Sequence, residues 1–160
     1  MNLVYDRTAQ DVETARTQRG TTLTPLKGCY NIADLNRVES AVKTLAASLT
    51  SAGYPVEITP VLKGSKAEDR EWRESDTIRL SQWRQYLANV QALRDAYYTL
   101  AETGQLPDAA DRLDYIGANT IEKILADIDL LIDWMKSSYR RCGTFRAGNN
   151  AAHLPLKGSI

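Results

Sequence analysis

The sequence predicts an all-α protein, a small antiparallel bundle of three long helices with a short N-terminal helix and extended N- and C-terminal arms. Two observations predict this fold class. Apolar residues recur every three or four positions in three long segments, and glycine or proline follows or separates those segments. A chain of 160 residues is long enough to bury one such core.

The first element is a short helix over Thr8–Arg19. Its apolar face consists only of Ala9, Val12 and Ala15, and Gly20 follows its last residue. We therefore expect a weakly amphipathic helix.

The first long helix is predicted over Asn31–Ala52. Asn31 suits the N-cap, Asp34 lies where an acid favours the positive end of a helix, and Gly53 lies just past the finish. One apolar stripe runs along the segment, formed by Ile32, Leu35, Val38, Val42, Leu45 and Leu49.

Two segments of different character follow. Residues 54–62 alternate apolar and polar residues between Pro55 and Pro60, which predicts an edge strand or an ordered arm. Lys63–Asp76 is dense in both acids and bases around Trp72, which predicts a solvated loop or a short polar helix.

Two more long helices are predicted, over Ile78–Leu100 and Ala118–Tyr139. Thr77 or Ser81 is available to cap the former. The stripe of the former is Leu80, Trp83, Leu87, Val90, Leu93, Tyr97 and Leu100. The stripe of the latter is Ile121, Ile124, Leu125, Ile128, Leu131, Ile132 and Met135. Isolated helices are marginal in water, so the three should pack together.

The predicted organisation is one helical domain over residues 1–150, with a polar charged loop at about residues 60–77, and an extended C-terminal arm over residues 151–160. We expect this arm to dock on its own bundle or on a neighbouring subunit. Large apolar residues in the arms, and aromatic residues expected to be exposed, are candidates for protein–protein interfaces. They are Leu3, Tyr5, Trp72, Trp134, Tyr139, Phe145, Leu154, Leu156 and Ile160.

Bulk composition argues against several partners. Lysine and arginine total 20, and aspartate and glutamate also total 20, so no net field attracts nucleic acid or an anionic membrane. No long apolar run or export signal is present, so we expect neither a membrane span nor Sec-dependent export. Cys29 and Cys142 lack a CxxC spacing and are expected to be reduced.

No pattern of reactive residues predicts an enzyme. Cys29 would need a nearby base, and His153, the only histidine, lies far along the chain, so a buried thiol before the helix is the better interpretation. A metal site formed by Glu122, Asp127, Asp129 and Asp133 would need carboxylates from several helices, and we place these acids mainly on a solvated face.

A stacking surface for single-stranded nucleic acid is a third possibility. Aromatic and arginine residues that could form it are Trp83, Tyr86, Tyr97, Tyr98, Tyr139, Arg84, Arg94 and Arg140. Asp95 and Glu102 accompany them, and Trp83 and Tyr97 belong to the apolar stripe. Core packing and subunit contact are therefore favoured.

Several segments of the sequence, in their order along the chain, resemble those of a known group of proteins. The most specific are "CYNIADLNRVE" at Cys29–Glu39 and "ANTIEKIL" at Ala118–Leu125, joined by "YDRTAQDVETA", "YLANVQALRDAYYTL" and "YRRCGTFRAGNN". Up to about Asn150 the chain resembles small proteins encoded in the tail gene clusters of bacteriophages and prophages of Gram-positive bacteria.

That resemblance implies a structural protein of the virion, in the tail tip, baseplate or fibre-attachment region. It implies several copies, contacts with other virion proteins and with copies of itself, no catalysis and no cofactor, metal or small-molecule ligand. The protein would be made in the cytoplasm of the host bacterium and reside in the tail. Two alternatives are an assembly chaperone or adaptor absent from the mature particle, and a small helical regulatory binding protein.

Overall fold

The computed structural model describes residues 1–18 and 26–142, and this part of the chain is all-α, as predicted. It contains four helices and no strand. None of these helices is long and apolar enough to cross a membrane. In chain order the helices are α1 Ala9–Thr17, α2 Ile32–Ser51, α3 Leu80–Ala96 and α4 Tyr115–Cys142.

Capping residues define the starts of α1 and α2. The Thr8 hydroxyl accepts from the Asp11 N–H, while the Thr8 N–H donates to the Asp11 carboxylate at 2.8 Å. Asn31 and Asp34 form the same reciprocal arrangement at α2. The predicted short helix α1 and the predicted long helix α2, including Asn31 as its N-cap, are confirmed, although α1 ends at Thr17, and Arg19 and Gly20 lie outside the described residues. Gly53 follows α2 with a φ of 94°, a conformation that favours glycine.

The helix α3 begins later than predicted. Its N-cap is Arg79, and neither Thr77 nor Ser81 fills this position. The Arg79 N–H donates to the side-chain oxygen of Gln82 at 2.7 Å. A side chain of the first helical turn therefore satisfies the backbone N–H of the N-cap residue.

The same helix ends at Ala96, before the predicted Leu100. Tyr97 adopts an extended conformation, with φ −139° and ψ −167°. Its ring meets Tyr54 edge-on, with 4.6 Å between the ring centroids. The aromatic contact therefore lies beyond the helix end, on the connecting chain.

The helix α4 starts before the predicted Ala118 and continues past the predicted Tyr139. The Asp114 carboxylate accepts from the Gly117 N–H at 2.7 Å, which caps the helix from the preceding loop.

The long helices pack pairwise, α2 with α3, α2 with α4 and α3 with α4, around one apolar core. Full burial of each large side chain contributes roughly 1.5–3 kcal/mol. The fully buried positions follow the predicted stripes and include Val38, Leu45, Leu49, Val90, Leu93, Ile121, Ile124, Leu125 and Ile132. The helix α1 adds only Ala15 to the buried set.

The connection from α2 to α3 is an extended arm followed by a loop that internal hydrogen bonds and an ion pair hold in place. Residues 54–62 form an ordered arm rather than an edge strand. In Lys63–Asp76, the backbone groups of Lys63 and Glu68 exchange hydrogen bonds, and Arg70 binds both carboxylate oxygens of Asp76 at 2.7 and 2.8 Å.

The prediction of a solvated loop is wrong for Lys63 and Trp72, which are both buried. Glu39 of α2 explains both, because its carboxylate accepts from Lys63 Nζ at 2.5 Å and from Trp72 Nε1 at 2.8 Å. The Lys63 ammonium also lies 5.3 Å from the centre of the Trp72 ring.

Candidate functional site

A charged cluster lies between the N-terminus and the bundle. It consists of Arg7, Asp34 of α2, Arg37 of α2 and Glu122 of α4. Glu122 is fully buried, although the sequence placed it on a solvated face. Its carboxylate accepts from Arg7 at 2.8 Å and from Arg37 at 3.0 and 2.7 Å. That prediction is therefore wrong for Glu122.

The charges of this cluster balance, with two guanidinium groups against two carboxylates. Arg7 also donates to Asp34 at 3.0 Å, and Arg37 donates to the same carboxylate. Burial opposes the charge of Arg37, but the hydrogen bonds to Glu122 and Asp34 outweigh that effect and raise its pKa above the ordinary value. Each buried charge is therefore compensated, as burial requires.

The cluster holds residues 1–8, which we call the N-terminal arm. The Val4 N–H donates to the second oxygen of Glu122 at 2.6 Å. Arg7 also donates to the carbonyl oxygens of Val4 and Lys27, which fixes the arm and the turn before α2 relative to each other. Leu3 packs against the apolar core. The arm is therefore held by the backbone N–H of Val4, by the guanidinium of Arg7 and by the apolar side chain of Leu3.

An asparagine clamp appears once on each long helix. In each clamp the side-chain amide accepts from the backbone N–H of one residue in an extended segment and donates to the carbonyl of the same residue. All six donor–acceptor distances lie between 2.8 and 3.1 Å. The pairs are Asn36 with Trp72, Asn89 with Thr59, and Asn119 with Arg7.

These clamps satisfy backbone groups that have no helix or sheet partner. Asn36 belongs to α2, Asn89 to α3 and Asn119 to α4, so each long helix holds one non-helical segment. Hydrogen bonds of this kind each contribute about 1 kcal/mol net, and an orphaned buried group costs more. The clamps therefore give the three segments fixed positions on the bundle.

An open groove lies beside the charged cluster. It has a volume of about 1260 Å³ and runs between α1, the turn at residues 26–30, the start of α3 and residues 112–115. Tyr30 and Trp83 contribute aromatic surface, while Arg16 and Arg112 are exposed cations on its wall. Gly28 is required here, because a Cβ atom would lie 2.1 Å from the Asp11 carbonyl oxygen.

Two tyrosines connect this groove to the core. The hydroxyls of Tyr30 and Tyr86 lie 2.6 Å apart, and burial raises the pKa of both. Trp83 stacks on Tyr86 with 5.1 Å between ring centroids, and the Arg7 guanidinium lies 5.5 Å from the Tyr30 ring. Tyr86 and Trp83 are therefore engaged in packing rather than in a free stacking surface.

The exposure of the Cys29 thiol and the burial of the Asp127 carboxylate both differ from the predictions. Cys29 is exposed at the groove, so the prediction of a buried thiol is wrong. Asp127 is buried, where it accepts from the Thr103 hydroxyl at 2.7 Å and pairs with Lys123. Asp133 is exposed, as predicted. Among the side chains that the structure describes, those of residues 1–18 and 26–138, no three His, Cys, Asp or Glu groups lie together so that they could hold a metal ion.

The candidate interface residues fall into three groups. Leu3 is half-buried, whereas Tyr5 and Trp134 are 46% and 54% exposed. Trp72 is 4% exposed, so the expectation that it is an exposed aromatic is wrong. Outside the part of the chain that the structure describes lie the side chain of Tyr139 and the residues Phe145, Leu154, Leu156 and Ile160. His153 and the C-terminal arm also lie outside it.

Local sequence patterns do not identify Arg7, Arg37 and Asn119 as the residues that attach the arm. Arg7 and Glu122 are 115 positions apart, so no local spacing connects them. Asn119 gave a partial indication of such an attachment, because the side-chain amide of an asparagine inside a helix can bond to groups outside that helix.

Together the fold and this site define a small helical bundle that holds extended segments by backbone clamps and buried ion pairs. Comparison with protein families, with curated proteins and with solved structures found no match.

Proposed function

We propose that this chain is a structural protein of a bacteriophage virion, located in the tail at the tip, baseplate or fibre-attachment region. Several copies assemble there through subunit contacts and arms, and the protein performs no catalysis. The sequence resemblance suggests the virion. The observation that supports an assembly role is an exposed apolar pair on α4, formed by Leu130 and Trp134.

This pair has the properties of an interface anchor. Leu130 and Trp134 are 42% and 54% exposed, and they lie one helical turn apart on the same face of α4. An exposed tryptophan beside an exposed leucine offers apolar area with little side-chain entropy to lose. Because single exposed apolar residues are ordinary, the pairing on one face carries the argument.

Two experiments test this proposal. Particles are purified from the bacterium that carries the gene, and their proteins are identified by mass spectrometry. We expect the chain in the particle at several copies. Its presence in the lysate and absence from particles would instead establish an assembly chaperone or adaptor. A salt-dependent DNA titration tests the regulatory alternative, and we expect no binding at low salt.

A competition experiment tests the contacts. Wild-type and variant chains are produced together during particle assembly, and their ratio in purified particles is measured. Deletion of Ala151–Ile160 is expected to leave the monomer helical but to reduce incorporation. Trp134→Ser is expected to reduce incorporation at least tenfold, as loss of an anchor worth about 2 kcal/mol would. The control Asp133→Asn alters the adjacent exposed residue. Equal incorporation of the variants and wild type would contradict the proposal.

A further inference from the structure

We propose that the open groove beside the charged cluster is a docking site for an acidic segment of another protein, one that also carries large apolar side chains. The inference rests on the proposed assembly role and names the chemistry of one partner. The groove runs between α1, the turn at residues 26–30, the start of α3 and residues 112–115. Its size, its apolar lining and its charge each support this occupant.

The size of the groove favours a peptide segment over a small molecule. Sites for small ligands usually have volumes of about 300–1,000 Å³ and bury most of the ligand. This groove has a volume of about 1260 Å³ and is open to solvent. A segment of polypeptide can lie in an open groove of this kind and place its side chains against the lining, as peptides do in other helix-lined grooves.

The lining supplies apolar contact surface. Val12 of α1 and Ile78, which precedes α3, are 36% and 39% exposed and both line the groove. Trp83 and Leu113 are partly buried beside them. Burial of apolar surface contributes about 25 cal/mol per Å². A partner gains this contribution only if it brings apolar side chains of its own.

Two unpaired cations border the same groove. Arg16 of α1 and Arg112 of the loop before α4 are exposed on its wall. Neither guanidinium pairs with a carboxylate in the part of the chain whose side chains the structure describes. By contrast, Arg7 also lines the groove and is compensated by Asp34 and Glu122. Single exposed arginines are ordinary, so the inference depends on the position of both beside one apolar groove.

The chain does not supply its own acids to this groove. Among the described lining residues Asp114 is the one acid, and its carboxylate accepts from the Gly117 N–H at the start of α4. Residues 19–25 and 143–160 contain no aspartate or glutamate, and they add further cations. A carboxylate side chain that pairs with the two arginines therefore comes from another molecule. An acidic segment has the complementary charge.

The start of α3 adds to the positive charge. Ile78 and Trp83, on either side of its first turn, line the groove. The N-terminal end of a helix carries a partial positive charge of about half a unit, which an acid in the first turn can balance. This helix has no acid in its first turn, and its N-cap is Arg79. An acidic partner would supply the balancing charge.

A peptide selection tests the chemistry of the occupant. A library of short random peptides, displayed on filamentous phage, is selected on the immobilised full-length chain at physiological salt. We expect the enriched peptides to combine aspartate or glutamate with leucine, tryptophan or another large apolar residue. Enrichment of neutral or basic peptides, or no enrichment over a surface without the chain, would overturn the proposal.

Arginine variants then test the site. The best enriched peptide is synthesised with a fluorescent label, and its binding to purified chains is measured by fluorescence anisotropy. Arg16→Gln and Arg112→Gln should each raise the dissociation constant roughly three- to tenfold, as loss of one hydrogen bond does. Because neither arginine has a carboxylate partner in the described chain, both variants should melt like the wild type.

The matched control for these variants is Arg84→Gln. Arg84 is an exposed arginine of α3 that does not line the groove and has no ion-pair partner among the described residues. Its substitution removes the same charge and should change the dissociation constant by less than about twofold. Equal effects of the three substitutions would show that the peptide responds to bulk charge, and this result would overturn the proposal.

A second pair of variants tests the apolar part of the contact. Ile78→Ser removes an exposed apolar side chain from the groove and should weaken binding roughly three- to tenfold. The control Leu80→Ser removes a neighbouring side chain that is 50% exposed and does not line the groove. It should leave the dissociation constant unchanged. Equal binding to both variants and to the wild type would contradict docking in this groove.

The same samples identify other occupants. Sedimentation velocity without peptide shows whether the wild-type chain forms an oligomer that Arg16→Gln and Arg112→Gln dissociate, which would assign the groove to a second copy. Binding of the peptide only after deletion of Ala151–Ile160 would assign the groove to the C-terminal arm of the chain. Either result would overturn the proposal.

Failure of this inference is distinguishable from failure of the proposed function. The binding measurements use the purified chain, and none of them requires a particle. Absence of the protein from virions would refute the proposed function and leave the peptide results as they are. A virion protein whose groove selects no acidic peptide would keep its proposed function and lose this partner.

Discussion

Removing the charge of Glu122 should destabilise the fold far more than removing any exposed acid on the same helix. In Glu122→Gln the side chain keeps its shape but loses its charge. Arg7 and Arg37 then face Asp34 alone, which leaves one uncompensated positive charge in the cluster. The new amide also places an NH2 group against existing donors in either orientation, because both carboxylate oxygens now accept hydrogen bonds.

The size of this loss in stability follows from the burial of Glu122. Breaking a buried ion pair by removing one partner costs about 3–5 kcal/mol. For a chain of this length that loss lowers the melting temperature by roughly 6–20 °C. Thermal and urea unfolding at pH 7, followed by circular dichroism, measures both quantities. Added salt should restore little, since ions screen buried charges weakly.

The matched control is Asp129→Asn on the same helix. Asp129 is half-exposed, and its ion-pair partner is the Met1 amino group at 3.8 Å, so the expected loss is within about 0.5 kcal/mol. A difference of less than about 1 kcal/mol between Glu122→Gln and Asp129→Asn would refute the argument that buried charge compensation stabilises this cluster.

Two further predictions concern the segment between α2 and α3. Asn89→Ala removes both clamp bonds to Thr59, so the Thr59 amide should lose hydrogen-exchange protection worth about 1–3 kcal/mol, whereas Gln91→Ala, whose side chain bonds Asp95 of the same helix, should leave it unchanged. Hydrogen bonding from Arg70 lowers the pKa of Asp76 from 3.8 to about 2, so its contribution is complete above pH 4 and is lost as the pH falls towards 2. The difference in urea midpoint between wild type and Asp76→Asn should therefore be constant at pH 5–7 and disappear near pH 2; a difference that persists there would contradict this assignment.

The sequence predicted the parts of the fold that local patterns determine. Along α2, Val38, Leu45 and Leu49 recur at helical spacing and are buried, and Asn31 is the N-cap, as predicted. Both features depend on residues within a few positions of one another, so a local reading is sufficient.

The candidate site depends on partners distant in sequence, and local patterns do not identify them. The local pattern of α4 predicts a solvated position for Glu122, and only its distant partners Arg7 and Arg37 explain its burial. Trp72 lies in a charged loop, and only Glu39 and Asn36 of α2 explain its burial. The acids and the tryptophan were therefore assigned to solvent, because the groups that bury them come from other elements.

Each asparagine clamp makes two backbone bonds that do not depend on the side chain of the clamped residue, and at Thr59, unlike Arg7 and Trp72, these bonds are not joined by side-chain bonds to acids of the long helices. A clamp forms hydrogen bonds with one backbone N–H and one backbone carbonyl. Of the 20 amino acids, 19 supply both groups, and only proline lacks the N–H donor. At Thr59, for example, a change of side chain leaves the two bonds to Asn89 available. The outer surface of such a segment can therefore change during evolution without loss of its attachment to the bundle, and one helical scaffold can present different surfaces to different neighbours.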